Sequence, residues 1–141
     1  KDQWAIVSSA DVLINNKTFE PKVDAAAIAK VKPLMGSNDP DLNYSALRFM
    51  AVYSPKDPVL HARVLSLITS TDEDNKQSAI RAATEITDAD PKFFKPILQV
   101  MKTSKDPYTA GMGVDYFALR KVKDPQVISE LRLMVDNKNI D

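Results

Sequence analysis

The sequence predicts an all-α fold in which about four helix pairs stack as an α-α superhelix, or solenoid. Three observations predict it. The dipeptide Asp-Pro opens an apolar stretch at Asp57-Pro58, Asp90-Pro91 and Asp124-Pro125, and these aspartates lie 33 and 34 residues apart. The apolar residues after each start follow helical spacing, and a second helix start falls between them. Repeats of this length are typical of solenoids, in which each unit packs on its neighbours.

The first helix of each repeat carries one apolar face. With the starting aspartate counted as position one, positions four, eight, eleven and twelve are apolar, the spacing of one helix face. They are Ala27, Val31, Leu34 and Met35 after Asp24; Leu60, Val64, Leu67 and Ile68 after Asp57; Phe93, Ile97, Val100 and Met101 after Asp90; and Val127, Leu131, Met134 and Val135 after Asp124. The aspartate can cap the first turn. We therefore expect helices to start at these four aspartates. Pro33 and Pro96 should kink a helix or mark a late start.

A second helix is predicted to open at Asp39-Pro40, Asp72-Glu73 and Asp106-Pro107. These helices should run to Tyr53, Ile86 and Arg120, and short loops then lead to the next unit. A small residue recurs seven positions after the opening aspartate, at Ala46, Ala79 and Gly113, and the next residue is Leu47, Ile80 or Val114. Small residues let two helices approach closely. Gly111 and Gly113 together indicate either such a close crossing or backbone exposed to a ligand.

The chain is predicted to be one domain of residues 1–141. Residues 1–23 form an N-terminal capping helix and loop, residues 24–56, 57–89 and 90–123 form three repeats, and residues 124–141 form a half repeat. Within residues 2–15 an apolar helical stripe should cover the first repeat; it consists of Trp4, Val7, Ala10 and Ile14.

Two stretches carry a family resemblance. Residues 95–101 followed by Asp106-Pro107, and residues 32–35 followed by Asp39-Pro40, resemble HEAT repeats, in which a first helix often carries a proline and an Asp-rich turn precedes the second helix. The resemblance covers roughly residues 24–141. It implies a curved solenoid whose second helices line the concave face. A tetratricopeptide array is the rival, since its period is 34. Its glycines should recur in register, and those of this chain do not.

The amino-acid composition argues against several classes of function and of binding site. Lys and Arg total 19 and so do Asp and Glu, so the formal net charge is zero, which argues against nucleic acid as a partner. The chain has no cysteine, which excludes disulfides and thiolate metal sites and leaves the compartment undecided. No apolar run is long enough to span a membrane. The chain starts at Lys1 rather than Met, so we expect a processed or partial chain.

No residue pattern indicates catalysis. His61 is the only histidine, and its equivalents in the other repeats are the apolar residues Ile28, Phe94 and Ile128. A half-buried structural ring with one bonded nitrogen is therefore the expectation. No spacing selects a catalytic triad or a zinc site. We expect no enzyme, no catalytic residue, no cofactor and no metal.

A protein or peptide partner, of unknown identity, is the preferred function. Arg48, Arg81 and Asp115 occupy one position of the second helices, and Tyr44, Phe49 and Tyr116 lie beside them. Arginine and tyrosine are common interface anchors. An ordinary solvated face with ion pairs is the alternative for these residues. A basic ridge is also open, formed by Lys92, Lys95, Lys102 and Lys105. For the chain as a whole, a structural or capping segment of a larger assembly is the alternative function, and a nucleic-acid-binding HEAT-like protein is the weaker one.

Overall fold

The computed structural model describes residues 3–6, 8–9, 12 and 21–136, and of residues 21–24 only the backbone. Its helices from residue 21 onward are α1 Pro21–Val31, α2 Pro40–Tyr53, α3 Pro58–Ile68, α4 Glu73–Glu85, α5 Phe94–Thr103, α6 Pro107–Leu119 and α7 Pro125–Asp136. Short 3₁₀ helices cover Lys32–Gly36 and Pro91–Phe93. The described residues before Pro21 are helical as well, and no strand occurs in the described part of the chain. The predicted all-α class is confirmed.

Aspartate side chains begin the helices as predicted. The carboxylates that accept backbone N–H groups from a first helical turn belong to Asp39, Asp57, Asp72, Asp90, Asp106 and Asp124. Asp57, for example, accepts from Val59 N at 2.8 Å. These bonds satisfy amides that have no partner within the helix. The start predicted at Asp24 is wrong, because α1 begins three residues earlier at Pro21.

The two prolines inside predicted first helices change the helix type. The α-helical ladder of α1 ends at Val31, and the chain continues through Pro33 as a 3₁₀ helix. Pro96 is the third residue of α5, which begins late, at Phe94, after the 3₁₀ turn that Asp90 caps. Both outcomes follow from the missing N–H of proline, which is tolerated only in a first turn.

The helices contact one another in two rows. In one row, α4 packs between α2 and α6; in the other, α5 packs between α3 and α7. Across the rows, α3 contacts α4 and α5 contacts α6. The helices α3 and α5 are therefore first helices, and α4 and α6 are their second helices. The buried apolar residues form one cluster to which every helix from α1 to α7 contributes, as helix amphipathicity requires.

The predicted small residues permit close helix packing. A Cβ built on Gly113 would overlap Met101 Cγ and lie 2.9 Å from Met101 Sδ and 3.2 Å from Ile97 Cγ2. The equivalent Ala46 and Ala79 are completely buried. Ile97 and Met101, which are positions eight and twelve when Asp90 is counted as one, thus face the second helix of their own unit.

The N-terminal helix departs from the predicted stripe. Trp4 is 51% exposed, whereas the partly buried Ile6 packs against the core. Trp4 therefore does not cover the first repeat in the way its spacing predicted. The other predicted stripe residues, Val7, Ala10 and Ile14, lie outside the described residues.

The capping aspartates also link neighbouring units. While Asp57 Oδ1 caps α3, Asp57 Oδ2 accepts from Lys32 Nζ of the preceding unit at 2.6 Å. Asp90 caps through Oδ1 and contacts His61 Nδ1 through Oδ2 at 2.6 Å. Asp106 Oδ2 accepts from Gln77 Nε2 at 3.1 Å. One carboxylate therefore both starts a helix and contacts the unit before it.

Candidate functional site

The structure brings four of the six predicted partner-binding residues into one groove. Tyr44, Arg48, Arg81 and Asp115 line it, and the groove runs across α2, α4 and α6. Its volume is about 240 Å³. Five further residues that line the groove were not predicted from the sequence: Thr84, Glu85, Tyr108, Met112 and Leu119.

Helical spacing places these side chains on one side of the second helices. On α6, the lining residues Tyr108, Met112, Asp115 and Leu119 are separated by four, three and four positions. Residues at these intervals share a helix face. The same rule applied to Arg81 and Asp115 predicts the missed residues, because each lies three, four or seven positions from one of them.

Phe49 and Tyr116 do not belong to the groove. Both side chains are completely buried, so neither can contact a partner, and their prediction as binding residues is wrong. Phe49 lies three residues after Ala46, and Tyr116 three residues after Gly113, which turns both toward the row of first helices. Tyr116 packs edge-on against Phe94 and Phe117, with ring centroids 6.5 and 5.2 Å away.

Burial leaves the Tyr116 phenol without a partner. Its hydroxyl oxygen has no hydrogen bond to any of the described residues. Burial raises the pKa of Tyr116 far above its ordinary value, with the Asp90 carboxylate adding to the effect. Tyr116 therefore stays neutral, and it acts as a core aromatic residue rather than as a polar contact.

Arg81 is held between two tyrosine rings. Its guanidinium carbon lies 5.7 Å from the Tyr44 ring centroid and 5.8 Å from that of Tyr108, both within cation–π range. Arg81 also donates to the Tyr108 hydroxyl. Hydrogen bonding to the Tyr44 side chain, and to a smaller extent to that of Tyr108, raises the pKa of Arg81 above its ordinary value. These contacts orient a permanently charged group at the groove surface.

The other groove charges are loosely paired. Arg48 Nε lies 3.9 Å from Glu85 Oε1, and their side chains are 32% and 46% exposed. A pair this long and this exposed contributes about 0–1 kcal/mol, so exchanging it for a ligand costs little. With Arg81 and Asp115 included, the groove carries two positive and two negative side chains. It matches a ligand of mixed charge better than a uniformly anionic one.

His61 has a structural setting, as expected, but both of its ring nitrogens are engaged. Nδ1 lies 2.6 Å from Asp90 Oδ2, and Nε2 lies 2.6 Å from Pro55 O. A carboxylate and a carbonyl oxygen are both acceptors, so each is a hydrogen-bond partner for a ring N–H. The ring also packs against Phe93, with centroids 5.5 Å apart. The expectation of one bonded nitrogen is therefore wrong.

The four lysines of the predicted ridge, Lys92, Lys95, Lys102 and Lys105, are all exposed. Lys102 Nζ lies 2.6 Å from Glu130 Oε2 of α7, so a carboxylate neutralises one of the four charges of the ridge. Within the described residues, no three His, Asp or Glu side chains are grouped closely enough to hold a metal ion. No helix in the same part of the chain is long and apolar enough to cross a membrane.

Comparison with known proteins finds no match to a family model, and no significant match to a curated protein or a solved structure. The HEAT-like resemblance therefore stays a prediction from the sequence.

Proposed function

We propose that this protein is a non-catalytic interaction module, a HEAT-like solenoid that binds a peptide segment of a protein partner along the groove of its second helices. The observation that carries the proposal is the convergence of Tyr44, Arg48, Arg81 and Asp115 from three helices onto one groove. A solenoid stacks equivalent helices in register, and equivalent side chains then form extended surfaces of this kind.

The two-row packing supports the solenoid. Each central helix contacts the equivalent helix on both sides, and contacts between distant units are not needed to bury the core. If the rows curve as the HEAT-like resemblance implies, the second helices lie on the inner side. The groove is then on the concave face, where a peptide can lie across several units.

The groove chemistry supports a peptide ligand. Arg81 is pre-oriented by Tyr44 and Tyr108, so less side-chain freedom is lost when it binds a carboxylate or a backbone carbonyl. Leu119 adds apolar contact area, and its side chain is 61% exposed before any partner binds. Arginine and tyrosine beside apolar side chains are characteristic of the residues that dominate binding free energies.

The test is selection of peptides that bind the whole chain from a random displayed library, followed by affinity measurement on variants. Arg48→Ala combined with Arg81→Ala should weaken the selected peptides by roughly 10- to 100-fold, since hot-spot truncations cost about 2 kcal/mol or more. The matched control is Arg132→Ala, which removes an exposed arginine of α7 outside the groove. Circular dichroism verifies that helicity is retained. Selected peptides that bind the double variant and the wild type equally would refute the groove as the binding site.

A further inference from the structure

The charges of the groove are distributed unevenly over its three helices. Arg48 of α2, Arg81 of α4 and Asp115 of α6 occupy the same position of successive second helices. The remaining charge, Glu85, lies on the middle helix, 3.9 Å from Arg48. The α2 edge of the groove is therefore positive, the α6 edge is negative, and the middle helix carries one charge of each sign.

The positive part of the groove holds a cation that is in position but has no ion-pair partner. The guanidinium of Arg81 lies between the rings of Tyr44 and Tyr108, at 5.7 and 5.8 Å from their centroids. None of the carboxylates in the described part of the chain forms an ion pair with it. Arg48, on the adjacent helix, has only the long contact to Glu85. A carboxylate of a ligand can therefore bind both arginines without displacing a close ion pair.

The negative edge is equally available to a ligand. The Asp115 side chain is exposed, and among residues 21–136 it forms no ion pair. Leu119 follows one turn later on the same face of α6 and is 61% exposed. A basic side chain that binds Asp115 can therefore lay its aliphatic stem on Leu119, as lysine and arginine commonly do on apolar surfaces.

The helix packing sets the distance between the two edges. Helix α4 contacts both α2 and α6, and packed helices lie about 8–10 Å apart. From the middle of the α2–α4 pair to α6, the distance is then about 12–15 Å. An extended chain advances about 3.3–3.6 Å per residue, so about four residues span it. An α-helix would need about eight to ten residues for the same distance.

We propose that the groove selects an extended peptide in which an acidic residue, bound by Arg48 and Arg81, lies about four positions from a basic residue, bound by Asp115. This specificity rests on the proposed peptide-binding function. A peptide whose two residues carry the same charge meets like charge at one edge of the groove. The groove therefore discriminates by the pattern of charge in the ligand and not by its net charge.

The probes are the peptides selected on the whole wild-type chain from the random displayed library. An acidic and a basic residue about four positions apart should be enriched among them. In one such peptide, exchanging the basic residue for glutamate should weaken binding to the wild type by roughly fivefold or more, because a like charge then faces Asp115. Asp115→Lys should restore the affinity of the altered peptide and weaken that of the original. The matched control is Asp136→Lys, which changes the net charge equally at an exposed aspartate outside the groove and should leave both affinities unchanged.

The outcomes separate this specificity from the function on which it rests. If no selected peptide depends on Arg48 and Arg81, both are overturned. If the peptides depend on these arginines but lack the spaced charges, or if Asp115→Lys fails to restore the altered peptide, the charge specificity alone is overturned. Displacement of the selected peptides by a synthetic peptide of residues 1–20 or 137–141 also overturns it, since a segment of the same chain is then the occupant.

Discussion

Gly111 and Gly113 lie two residues apart in α6, yet substitution by alanine should have opposite effects on stability. A Cβ on Gly111 meets no atom within 4 Å, so Gly111→Ala gains helix propensity without any new contact. That gain is about 1 kcal/mol in a helix interior. For a chain of this size, it raises the melting temperature by about 4 °C.

Gly113→Ala gains the same propensity but meets the Met101 side chain. Its Cβ would overlap Met101 Cγ, and Ile97 stands on the other flank at 3.2 Å. Overpacking of this kind costs about 1–3 kcal/mol, although the flexibility of methionine keeps the cost toward the lower end. The net effect should range from about zero to a loss of 2 kcal/mol. The two variants should therefore differ by about 1–3 kcal/mol in unfolding free energy.

Urea unfolding followed by circular dichroism measures both variants under identical conditions. Met101→Ala provides the internal control, because it removes the two atoms nearest the new Cβ. In that background, Gly113→Ala should recover part of the propensity gain, and the double-mutant cycle should show the coupling directly. An equal gain for Gly111→Ala and Gly113→Ala in the native background would refute the close approach of α6 to α5.

Two further predictions concern the half-buried carboxylate of Asp90 and the buried hydroxyl of Tyr116. Burial acts to raise the pKa of Asp90, but hydrogen bonds, first from His61 and then from Lys92 N, outweigh it and lower the pKa below its ordinary value. The ionised Asp90 carboxylate therefore stabilises the fold above its unfolded-state pKa, and this stabilisation is lost as the pH falls through the folded-state pKa. Below about pH 4, the unfolding free energy of the wild type should fall more steeply with pH than that of Asp90→Asn. Urea titrations at successive pH values measure both. Tyr116→Phe removes a buried hydroxyl that has no partner among the described residues, so it should leave stability unchanged or raise it by about 1 kcal/mol. A clear loss of urea resistance in Tyr116→Phe would show that the hydroxyl has a partner.

Local chemistry made the helix starts predictable. An Asp cap followed by proline acts within one turn, so its meaning depends little on the rest of the chain. The small-residue position was also predictable, because close helix packing tolerates only alanine or glycine there and this restriction is visible in the sequence. The failure at Asp24 has a local cause too: Pro21 starts that helix, three residues before the position that the repeat spacing predicts.

The groove was less predictable because side-chain direction depends on neighbouring helices. Phe49 and Tyr116 are adjacent in sequence to Arg48 and Asp115, but one residue along a helix turns the side chain by about 100°. Counting from the small residue in steps of three and four would have assigned both aromatics to the core. The contact between His61 and Asp90 had no such signal, because its partners are 29 residues apart and belong to different units.

The double use of the capping carboxylates bears on cooperativity. In Asp57 and Asp90, one oxygen starts a helix and the other contacts a cationic or imidazole side chain of the preceding unit. Separating two units therefore removes a contact from the same group that satisfies the first amides of the next helix. In a linear array, stability is a sum of terms within each unit and terms between neighbours. In the solenoid that we propose, a residue that contributes to both terms would tie the folding of each helix to the presence of the unit before it, and the array would then unfold in fewer and larger steps.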